Sequence, residues 1–456
     1  MQGACRIGGI LPWCVHVSKY LLLSDAAARP SESENARALW ALGRGLISLD
    51  HSVRLLTVTT GEAAGRIPGL ARRLRKVVVN IQGAAYELGF FEGQSGASEP
   101  SLTVVSIPDN TLIAPGVWLE VAVESIASDP LLSPDAVIAW GEGAAGALAG
   151  TQSNAKFFVL PEGRVQDAVR ASAGAAAANA ILVPGPAAAA RLEKDPALSG
   201  RASDEPIVAF RVGADDPPHD PVTDAALPAH FSSADLGGKL VCRKAVERRL
   251  GLALDPQTLL LTVAELRLEM GGEAVVDALV TALRGDVAIV ATTTGGDRRL
   301  IERIRVLAIE NPSKVALLHP ESDSTPIKEW EQQRLLLAAV DAVIVSATHE
   351  QAARSAGLSL RYGSIPIASA QGVAGGHLID LDAFSCTGNA ILFPEDSANA
   401  IANSIVRAAS LHRDSESWTA MIKGAMATAP TWKHTAGVFE RLRERAEAGL
   451  DDRLAV

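Results

Sequence analysis

The feature that most constrains the fold is an alternation between short apolar runs and longer segments with helical periodicity. Near the start of the chain, the run KYLLLSD is followed by SENARALWALGRGLISL, in which apolar residues recur at helical spacing, and then by the run HSVRLLTV. This order predicts a strand, a helix and a second strand. Because the crossover between parallel strands is right-handed and long enough to hold a helix, the unit predicts a parallel sheet.

The alternation continues along the chain and is interrupted once. Four more apolar runs (SLTVVSIP, DAVIAW, KFFVL and NAILVP) precede a polar, proline-rich stretch, GADDPPHDPVTDAALP, at residues 213–228, after which helices and strands alternate again. A chain of 456 residues also exceeds one ordinary domain. We therefore predict an α/β fold of the GT-B type: two Rossmann-like, doubly wound parallel-sheet domains that face a cleft, with the hinge within residues 212–239.

These patterns also suggest domain boundaries. We assign residues 1–18 to an N-terminal extension and residues 19–230 to the first Rossmann-like domain. Residues 231–432 form the second domain, and residues 433–456 form a closing helix and tail that we expect to return to the first domain.

Composition excludes several classes of protein. The net charge is -10 and no long basic stripe exists, which argues against nucleic acid as the main partner. No apolar run reaches the roughly 18 residues of a membrane span, and Pro12, His16 and Lys19 interrupt the only early apolar stretch. The four cysteines lack metal or disulfide spacing. We expect a cytoplasmic protein with no membrane and no nucleic-acid partner.

Four stretches resemble the bacterial glycogen synthases and plant starch synthases. Near the start, YLLLSDAAARPSESENARALWALGRGLISLDHSVRLLTV follows that family's V-L-F-V-A-S-E-x-A-P-x-x-K-T-G-G-L-A-D-V pattern. DPVTDAALPAHFSSADLGGK is similar to that family's N-P-x-T-D-P-x-L-P-x-x-[FY]-S-x-x-D-L-x-G-K. LRYGSIPIASAQGV resembles M-R-Y-G-T-x-P-I-V-x-x-T-G-G, and WTAMIKGAMATAPTWKHTAGVF resembles the family's closing segment. The resemblance extends over residues 19–442 and implies the GT-B fold and a retaining hexosyltransferase that adds glucose from ADP-glucose to an α-1,4-glucan.

The loop after the run LLLTV departs from the family where the resemblance places its chemistry. The family reads S-R-L-x-x-Q-K-G, and its Arg and Lys hold the diphosphate of the donor; here Glu265 and Met270 take those positions, while Leu266 and Gly271 keep the frame. A carboxylate about 4 Å from a phosphate repels it by roughly 4 kcal/mol at an effective dielectric constant of about 20. Each lost donor also forfeits roughly 3–4 kcal/mol of transition-state stabilisation. The loop therefore predicts loss of the family's reaction.

The other ligand-binding motifs that the resemblance implies are also degenerate. The phosphate-facing K-T-G-G falls on Ser31, Glu32, Ser33 and Glu34, so that the lysine and both glycines are absent. Two carboxylates there oppose a pyrophosphate, and the missing glycines prevent close approach of the backbone.

The remaining positions follow the same trend. H-x-H-D-W falls on IAWGE, at residues 138–142, and the histidine of V-H-N-L falls on Glu162. In F-E-P-C-G-L-T-Q only the acidic residue survives, as Glu350, and an exposed helix-start carboxylate stabilised by the helix dipole explains it better than donor binding does. T-G-G keeps one glycine, Gly372. We expect no intact catalytic or cofactor-binding site, no cofactor and no metal.

Three functions remain open at this point. The first is a non-catalytic pseudoglycosyltransferase with a structural, regulatory or partner-binding role, whose partner is a protein, a second copy of the chain or a glucan. The second is a divergent but active glucosyltransferase using ADP-glucose or UDP-glucose. The third is a changed chemistry in which the cleft binds a cation. The degenerate motifs favour the first.

The acidic substitutions also predict the charge of the cleft. If the fold holds, Glu32, Glu34, Glu162 and Glu265 come from loops that meet at one cleft, whose potential should then be negative. The alternative is that these side chains point outward and leave a neutral groove.

Overall fold

The protein is described by a computed structural model. It describes residues 17–26, 29, 33–94, 96–126, 133–201, 207–217, 219–268, 271–293, 296–319, 326–345, 350–372, 378–382, 385 and 387–448. Strands and helices alternate through these residues and form two separate sheets. Within the same residues, no helix combines the length and the hydrophobicity that a membrane span requires.

The first sheet has nine strands in the order β3-β4-β5-β2-β1-β6-β7-β8-β9. Its strands are β1 (Lys19–Ser24), β2 (Ser52–Thr60), β3 (Leu70–Ile81), β4 (Ala84–Gln94), β5 (Ser101–Ile107), β6 (Ala136–Trp140), β7 (Ala155–Val159), β8 (Ala180–Pro184) and β9 (Ile207–Phe210). Its helices are α1 (Glu34–Ile47), α2 (Gly61–Gly65), α3 (Pro115–Ile126), α4 (Glu142–Ala145), α5 (Ala168–Ala177) and α6 (Pro186–Leu192).

The second sheet has six parallel strands in the order β12-β11-β10-β13-β14-β15. They are β10 (Leu259–Val263), β11 (Val287–Thr292), β12 (Val315–Leu318), β13 (Ala342–Val345), β14 (Ile365–Ser369) and β15 (Ile391–Phe393). The helices of this half are α7 (Gly237–Leu250), α8 (Gly272–Ala282), α9 (Arg298–Glu310), α10 (Pro326–Ala339), α11 (Glu350–Arg361), α12 (Ala398–His412) and α13 (Ser415–Ala427). The last helix, α14 (Trp432–Ala448), follows them in the chain.

The strands that the alternation predicted are buried along nearly their whole length. Every residue of β6, β8, β10 and β14 is buried, as expected for parallel strands covered by helices on both faces. The predicted doubly wound α/β organisation is confirmed.

A hairpin at one edge of the first sheet departs from the parallel pattern. β3 and β4 pair antiparallel, and β4 also pairs antiparallel with β5. Gln82 and Gly83 join β3 to β4 with φ angles of 53° and 84°. Positive φ at both positions is the requirement of a two-residue type I′ turn, whose twist matches that of the flanking strands.

The last helix packs against the first sheet. Trp432 and Phe439 of α14 belong to the hydrophobic core on the α1 side of that sheet. The backbone of Trp432 lies so close to α1 that a Cβ atom on Gly45 would lie 2.5 Å from the Trp432 carbonyl oxygen. A polar cluster completes the contact, in which the Tyr20 hydroxyl donates to Glu440 and His51 Nε2 lies 3.1 Å from the same carboxylate.

Candidate functional site

The strand order identifies where each sheet can bind a ligand. In the second sheet the chain moves outward from β10 through β11 to β12, then crosses back to β13 and continues through β14 to β15. The order therefore reverses between β10 and β13, and open α/β sheets bind ligands outside the carboxyl ends of strands at such a reversal. The first sheet reverses between β1 and β6, and α1 follows β1.

A cavity of about 240 Å³ lies at the reversal of the second sheet. The first half of the chain contributes one arginine of α1 to it, and the second half contributes the ends of β10 and β11 and the inner faces of α10 and α11. The polar residues that matter most for its chemistry are Arg37, Thr262, Glu265, Thr292, Arg334 and Arg354. The cavity therefore brings together elements of both sheets.

Arg354 reaches a buried aspartate of the linker. Its Nη2 atom lies 3.4 Å from both carboxylate oxygens of Asp216, which also contacts His219 Nδ1 at 3.2 Å and Trp432 Nε1 at 3.4 Å. Burial alone would raise the pKa of Asp216, but the hydrogen bond from His219 and the positive charges of Arg354 and Arg37 hold that pKa well below its usual range. The linker thus supplies a permanent negative charge beside the cavity.

Arg334 is held by a second linker aspartate. Its Nε donates to Asp224 Oδ2 at 2.8 Å, and the Tyr362 hydroxyl donates to the same oxygen at 2.6 Å. Asp224 and Tyr362 are fully buried. Burial and the neighbouring Asp224 carboxylate raise the pKa of Tyr362, so that its hydroxyl remains a donor. This network fixes the side of the cavity formed by α10.

The loop after β10 keeps the leucine and the glycine of the family pattern, but it has a carboxylate where the family has an arginine. Leu266 is buried, and Gly271 adopts a φ of 74°, a left-handed conformation that strains any residue with a side chain. Glu265 lines the cavity and forms an ion pair with Arg267, whose Nε lies 3.3 Å from Glu265 Oε2. The structure therefore places a carboxylate at the predicted position, while Met270 lies outside the described residues.

The first predicted phosphate loop is replaced by a helix cap. Ser33 is the N-cap of α1, where its hydroxyl accepts a hydrogen bond of 3.0 Å from the Ala36 amide. Glu34 is the first residue of that helix. Ser31 and Glu32 lie outside the described residues. Ser33 therefore has a structural role that a serine performs well, because its oxygen satisfies an amide that the helix leaves unpaired.

Glu162 and Gly372 do not line the cavity among the residues that the structure describes. Glu162 is partly exposed, and its carboxylate contacts Arg164 at 3.3 Å and accepts a hydrogen bond of 2.5 Å from the side-chain amide of Gln166. The amide of Gly372 donates to the carbonyl of Ser369 in a turn after β14. Glu162 therefore does not join Glu265 in the described lining of this cavity.

Two further predicted positions begin helices. Glu350 is the first residue of α11 and Glu142 the first of α4, and the side chain of Glu350 lies outside the described part of the chain. Glu142, the last residue of the segment IAWGE, accepts hydrogen bonds from the amides of Gln166 and Asp167 at 2.7 and 2.8 Å. Burial raises the pKa of Glu142 despite these two hydrogen bonds. Its carboxylate joins the loop after β6 to the start of α5.

The expectation of a negative cleft stays a prediction, since Glu32 and the side chain of Glu34 lie outside the described residues; the described cavity lining contributes positive charge as well. This lining contains three arginines (Arg37, Arg334 and Arg354) and one carboxylate, that of Glu265. Sequence reasoning missed the arginines because it followed only positions where the family binds its ligands. One signal was present in the sequence. The family pattern K-T-G-G-L-A-D-V, aligned from Ser31, has an aspartate at the seventh position, and here that position is a cation, Arg37.

Comparisons with known proteins show which proteins the chain is similar to. No model of a known protein family matches the chain. The glycogen synthase of Anaeromyxobacter sp. (strain Fw109-5) is 33% identical over 224 residues, which cover 49% of this chain and 45% of that protein. The glycogen synthase of Desulfatibacillum aliphaticivorans is 27% identical over 285 residues, covering 60% of this chain and 57% of that protein. The chain is similar in sequence to bacterial glycogen synthases over about half of its length. It spans about half the length of the curated relatives it matches.

Solved structures confirm the fold of the chain. The catalytic domain of starch synthase IV from Arabidopsis thaliana, solved with ADP and acarbose, superposes with a TM-score of 0.74 at 15% identity, covering 95% of this chain and 99% of that one. Sucrose-phosphate synthase from Thermosynechococcus elongatus gives a TM-score of 0.56 at 15% identity, covering 95% and 100%. The predicted GT-B fold is confirmed.

Proposed function

We propose that this protein is a non-catalytic relative of the glycogen and starch synthases, a pseudoglycosyltransferase whose role in glycogen metabolism is structural, regulatory or partner-binding. The observation that carries the proposal is Glu265. It lies at the carboxyl end of β10, lines the cavity at the sheet reversal, and stands where the resemblance places the arginine that holds the donor diphosphate.

The environment of Glu265 supports this interpretation. Its carboxylate is paired with Arg267, the one cation of this loop. A diphosphate in the cavity would meet a carboxylate and would compete with it for Arg267. Since each 1.4 kcal/mol of lost transition-state stabilisation lowers the rate about tenfold, a repulsion of roughly 4 kcal/mol alone lowers it by about a thousandfold.

The residues retained from the resemblance also support a scaffold role. Asp224 and Tyr362, from the linker and from the stretch LRYGSIPI, bind each other and Arg334 in the interior. Lys239, from the same linker, donates to the carbonyls of Ala338 and Val340 at 3.1 and 2.8 Å. Each of these residues stabilises the fold, and the residues that the resemblance assigns to the donor are the ones replaced.

The test is a transfer assay with the purified protein, ADP-glucose or UDP-glucose and glycogen as acceptor. We expect no incorporation of glucose above the level of a protein-free control. A bacterial glycogen synthase that carries the intact S-R-L-x-x-Q-K-G loop is the positive control.

Turnover within a thousandfold of that control would overturn the proposal. The protein would then be a divergent glucosyltransferase in which other residues replace the lost arginine and lysine. Measuring glucose release in parallel would separate transfer from hydrolysis of the donor.

A further inference from the structure

One edge strand of the first sheet is far longer than the strands at the other sheet edges. β3 has 12 residues and stands at the end of its sheet. Among the strands that the structure describes, those at the three other edges are β9, β12 and β15, with four, four and three residues. An edge strand leaves backbone N–H and C=O groups without a partner strand, and natural proteins usually keep such edges short. The length of β3 therefore requires an explanation.

The first half of β3 carries features that protect an edge. The register against β4 shifts between Arg72 and Lys76, which marks a bulge. The side chains of Arg72 and Arg73 are exposed. Bulges and charged side chains both hinder the addition of a further strand. The first half of β3 is therefore a poor site for strand pairing.

The second half of β3, residues 76–81, lacks these features. It has the sequence KVVVNI and pairs with β4 in unbroken register. Its one charged residue, Lys76, forms an ion pair of 2.6 Å with Glu87 of β4. Val78 is 67% exposed. A regular edge rich in β-branched residues, with its one charge already paired, favours the addition of another strand.

The two-residue turn between β3 and β4 determines which backbone groups point outward. The residues that flank this turn, Ile81 and Ala84, form a hydrogen-bonded pair. Hydrogen-bonded and non-hydrogen-bonded pairs alternate along an antiparallel ladder, so every second residue before Ile81 directs its N–H and C=O groups away from β4. These residues are Lys76, Val78 and Asn80. Their side chains are exposed as well.

We propose that two copies of this protein pair through their β3 strands, antiparallel and around a two-fold axis at Val78. In this register the outward backbone groups of Val78 meet those of Val78 in the second copy, and Lys76 meets Asn80 of the second copy. Three residues on each strand then form about six backbone hydrogen bonds across the axis. The two nine-stranded sheets become one continuous sheet.

The side chains of β3 fit a second copy of the same strand. On the exposed face Val78 meets its own copy, and Lys76 meets the uncharged Asn80. No like charges therefore stand directly opposite each other, an arrangement that would be destabilising. On the other face Val77 meets Val79 of the second copy, and β-branched residues favour such cross-strand pairs. This self-complementarity is what a two-fold contact requires, because both chains use the same patch.

The symmetry of the pairing also limits the size of the assembly. In a two-fold contact each copy occupies the edge that a further copy would need, so the assembly closes at two chains. The bulge before Lys76 ends the regular segment and hinders a longer pairing. A slip by one residue would move every side chain to the opposite face. We therefore expect a dimer rather than an open fibre.

The inference goes beyond the proposed function and does not depend on it. β3 contributes no residue to the described lining of the cavity. The dimer is compatible with the presence and with the absence of glucose transfer. The transfer assay and the experiment below therefore test separate proposals.

Sedimentation velocity tests the proposal at protein concentrations of about 1–100 µM, which cover interfaces of micromolar affinity. We expect a species of twice the mass of the chain, whose share rises with concentration. Val78→Lys and Val78→Asp each place two like charges face to face at the axis, so each should raise the dissociation constant of the dimer about tenfold. An equimolar mixture of the two variants places opposite charges there and should restore the dimer.

The matched controls are Ile309→Lys and Ile309→Asp. Ile309 is 75% exposed and lies on α9, in the half of the protein that does not contain β3. These substitutions should leave the dissociation constant unchanged. Thermal unfolding of each variant shows whether it is folded, and the high exposure of Val78 means that neither charge replaces a core side chain.

Three results would overturn the inference. The first is a monomer at every concentration of the natural protein. The second is a dissociation constant for Val78→Lys and Val78→Asp equal to that of the natural protein. The third is a mixture of these two variants that stays as monomeric as each variant alone, since only pairing of Val78 with its own copy predicts the rescue.

Discussion

Arg334 Nε donates a hydrogen bond of 2.8 Å to Oδ2 of Asp224, and this bond joins a helix of the cavity to the linker between the two sheets. Both side chains are buried, and Tyr362 donates to the same carboxylate oxygen at 2.6 Å. The linker is therefore a part of the wall of the cavity rather than a free connection. Its aspartates position the cationic residues that surround the candidate site.

The first prediction concerns this ion pair. Asp224→Ala leaves the Arg334 guanidinium buried without its carboxylate, so the free energy of unfolding should fall by about 3–5 kcal/mol. Urea unfolding monitored by circular dichroism measures the change. Asp286→Ala is the control, because Asp286 pairs with Arg413 at the surface and its loss should change the free energy by about 0–1 kcal/mol. Equal effects of the two substitutions would contradict the prediction.

The second prediction concerns the buried amine of Lys239. Lys239 Nζ donates to the carbonyls of Ala338, Val340 and Tyr362 at 2.8–3.1 Å and contacts the hydroxyl of Ser364 at 3.2 Å. Burial lowers the pKa of Lys239 to about 8. Lys239→Met deprives these oxygens of their donor and should lower the free energy of unfolding by about 2–4 kcal/mol.

Lys244→Met, on the same helix, is the matched control for Lys239. Lys244 is exposed and pairs with Glu247 at 2.6 Å, so we expect a loss of about 0–1 kcal/mol in the same urea titration. If Lys239→Met were as stable as Lys244→Met, the amine would not be the anchor of α7 that its four contacts indicate.

The third prediction concerns acid stability. Burial acts to raise the pKa of Asp341, but hydrogen bonds from His412 and the Leu260 amide and the charge of Arg243 hold it below its usual value. The unfolded chain therefore binds this proton at a higher pH than the folded protein does. The stabilisation is complete above the ordinary aspartate pKa of 3.8 and is lost as the pH falls below it.

Urea unfolding at a series of pH values between neutral and acid measures this effect. The free energy of unfolding should decrease as the pH falls through the ordinary aspartate range, and Asp341→Asn should show a smaller decrease. Parallel curves for the two proteins would show that Asp341 does not contribute to acid sensitivity.

The fourth prediction concerns the loop after β10. The natural protein should bind ADP poorly, because Glu265 lines the cavity where a diphosphate would approach. The double substitution Glu265→Arg/Met270→Lys restores the cations of the resembling family and should bind ADP roughly tenfold or more tightly. Isothermal titration compares the two proteins. Micromolar affinity of the natural protein for ADP would refute the role assigned to Glu265.

Much of the architecture could be predicted because it depends on local periodicity. Strands such as Leu259–Val263 are short, apolar and flanked by helical segments, and these properties can be recognised in the sequence without knowledge of tertiary contacts. The hairpin of β3 and β4 was not predicted, because the Gln82-Gly83 pair that forms its turn looks in the sequence like any other polar pair. The short strand β15 was missed for the same reason: three residues carry too little pattern.

The candidate site, too, could be predicted only in part from the sequence. The sequence by itself determined that Glu265 follows a buried strand at the carboxyl edge of a parallel sheet, because the order of neighbouring elements fixes this position. It could not determine the charge of the cavity. Arg37, Arg334 and Arg354 belong to three helices far apart in the chain, and only the packing of both sheets brings their guanidinium groups to one place. Electrostatic interactions depend on distances in space rather than along the chain, so the tertiary structure alone decided that three arginines and one described carboxylate line a cavity that was expected to be acidic.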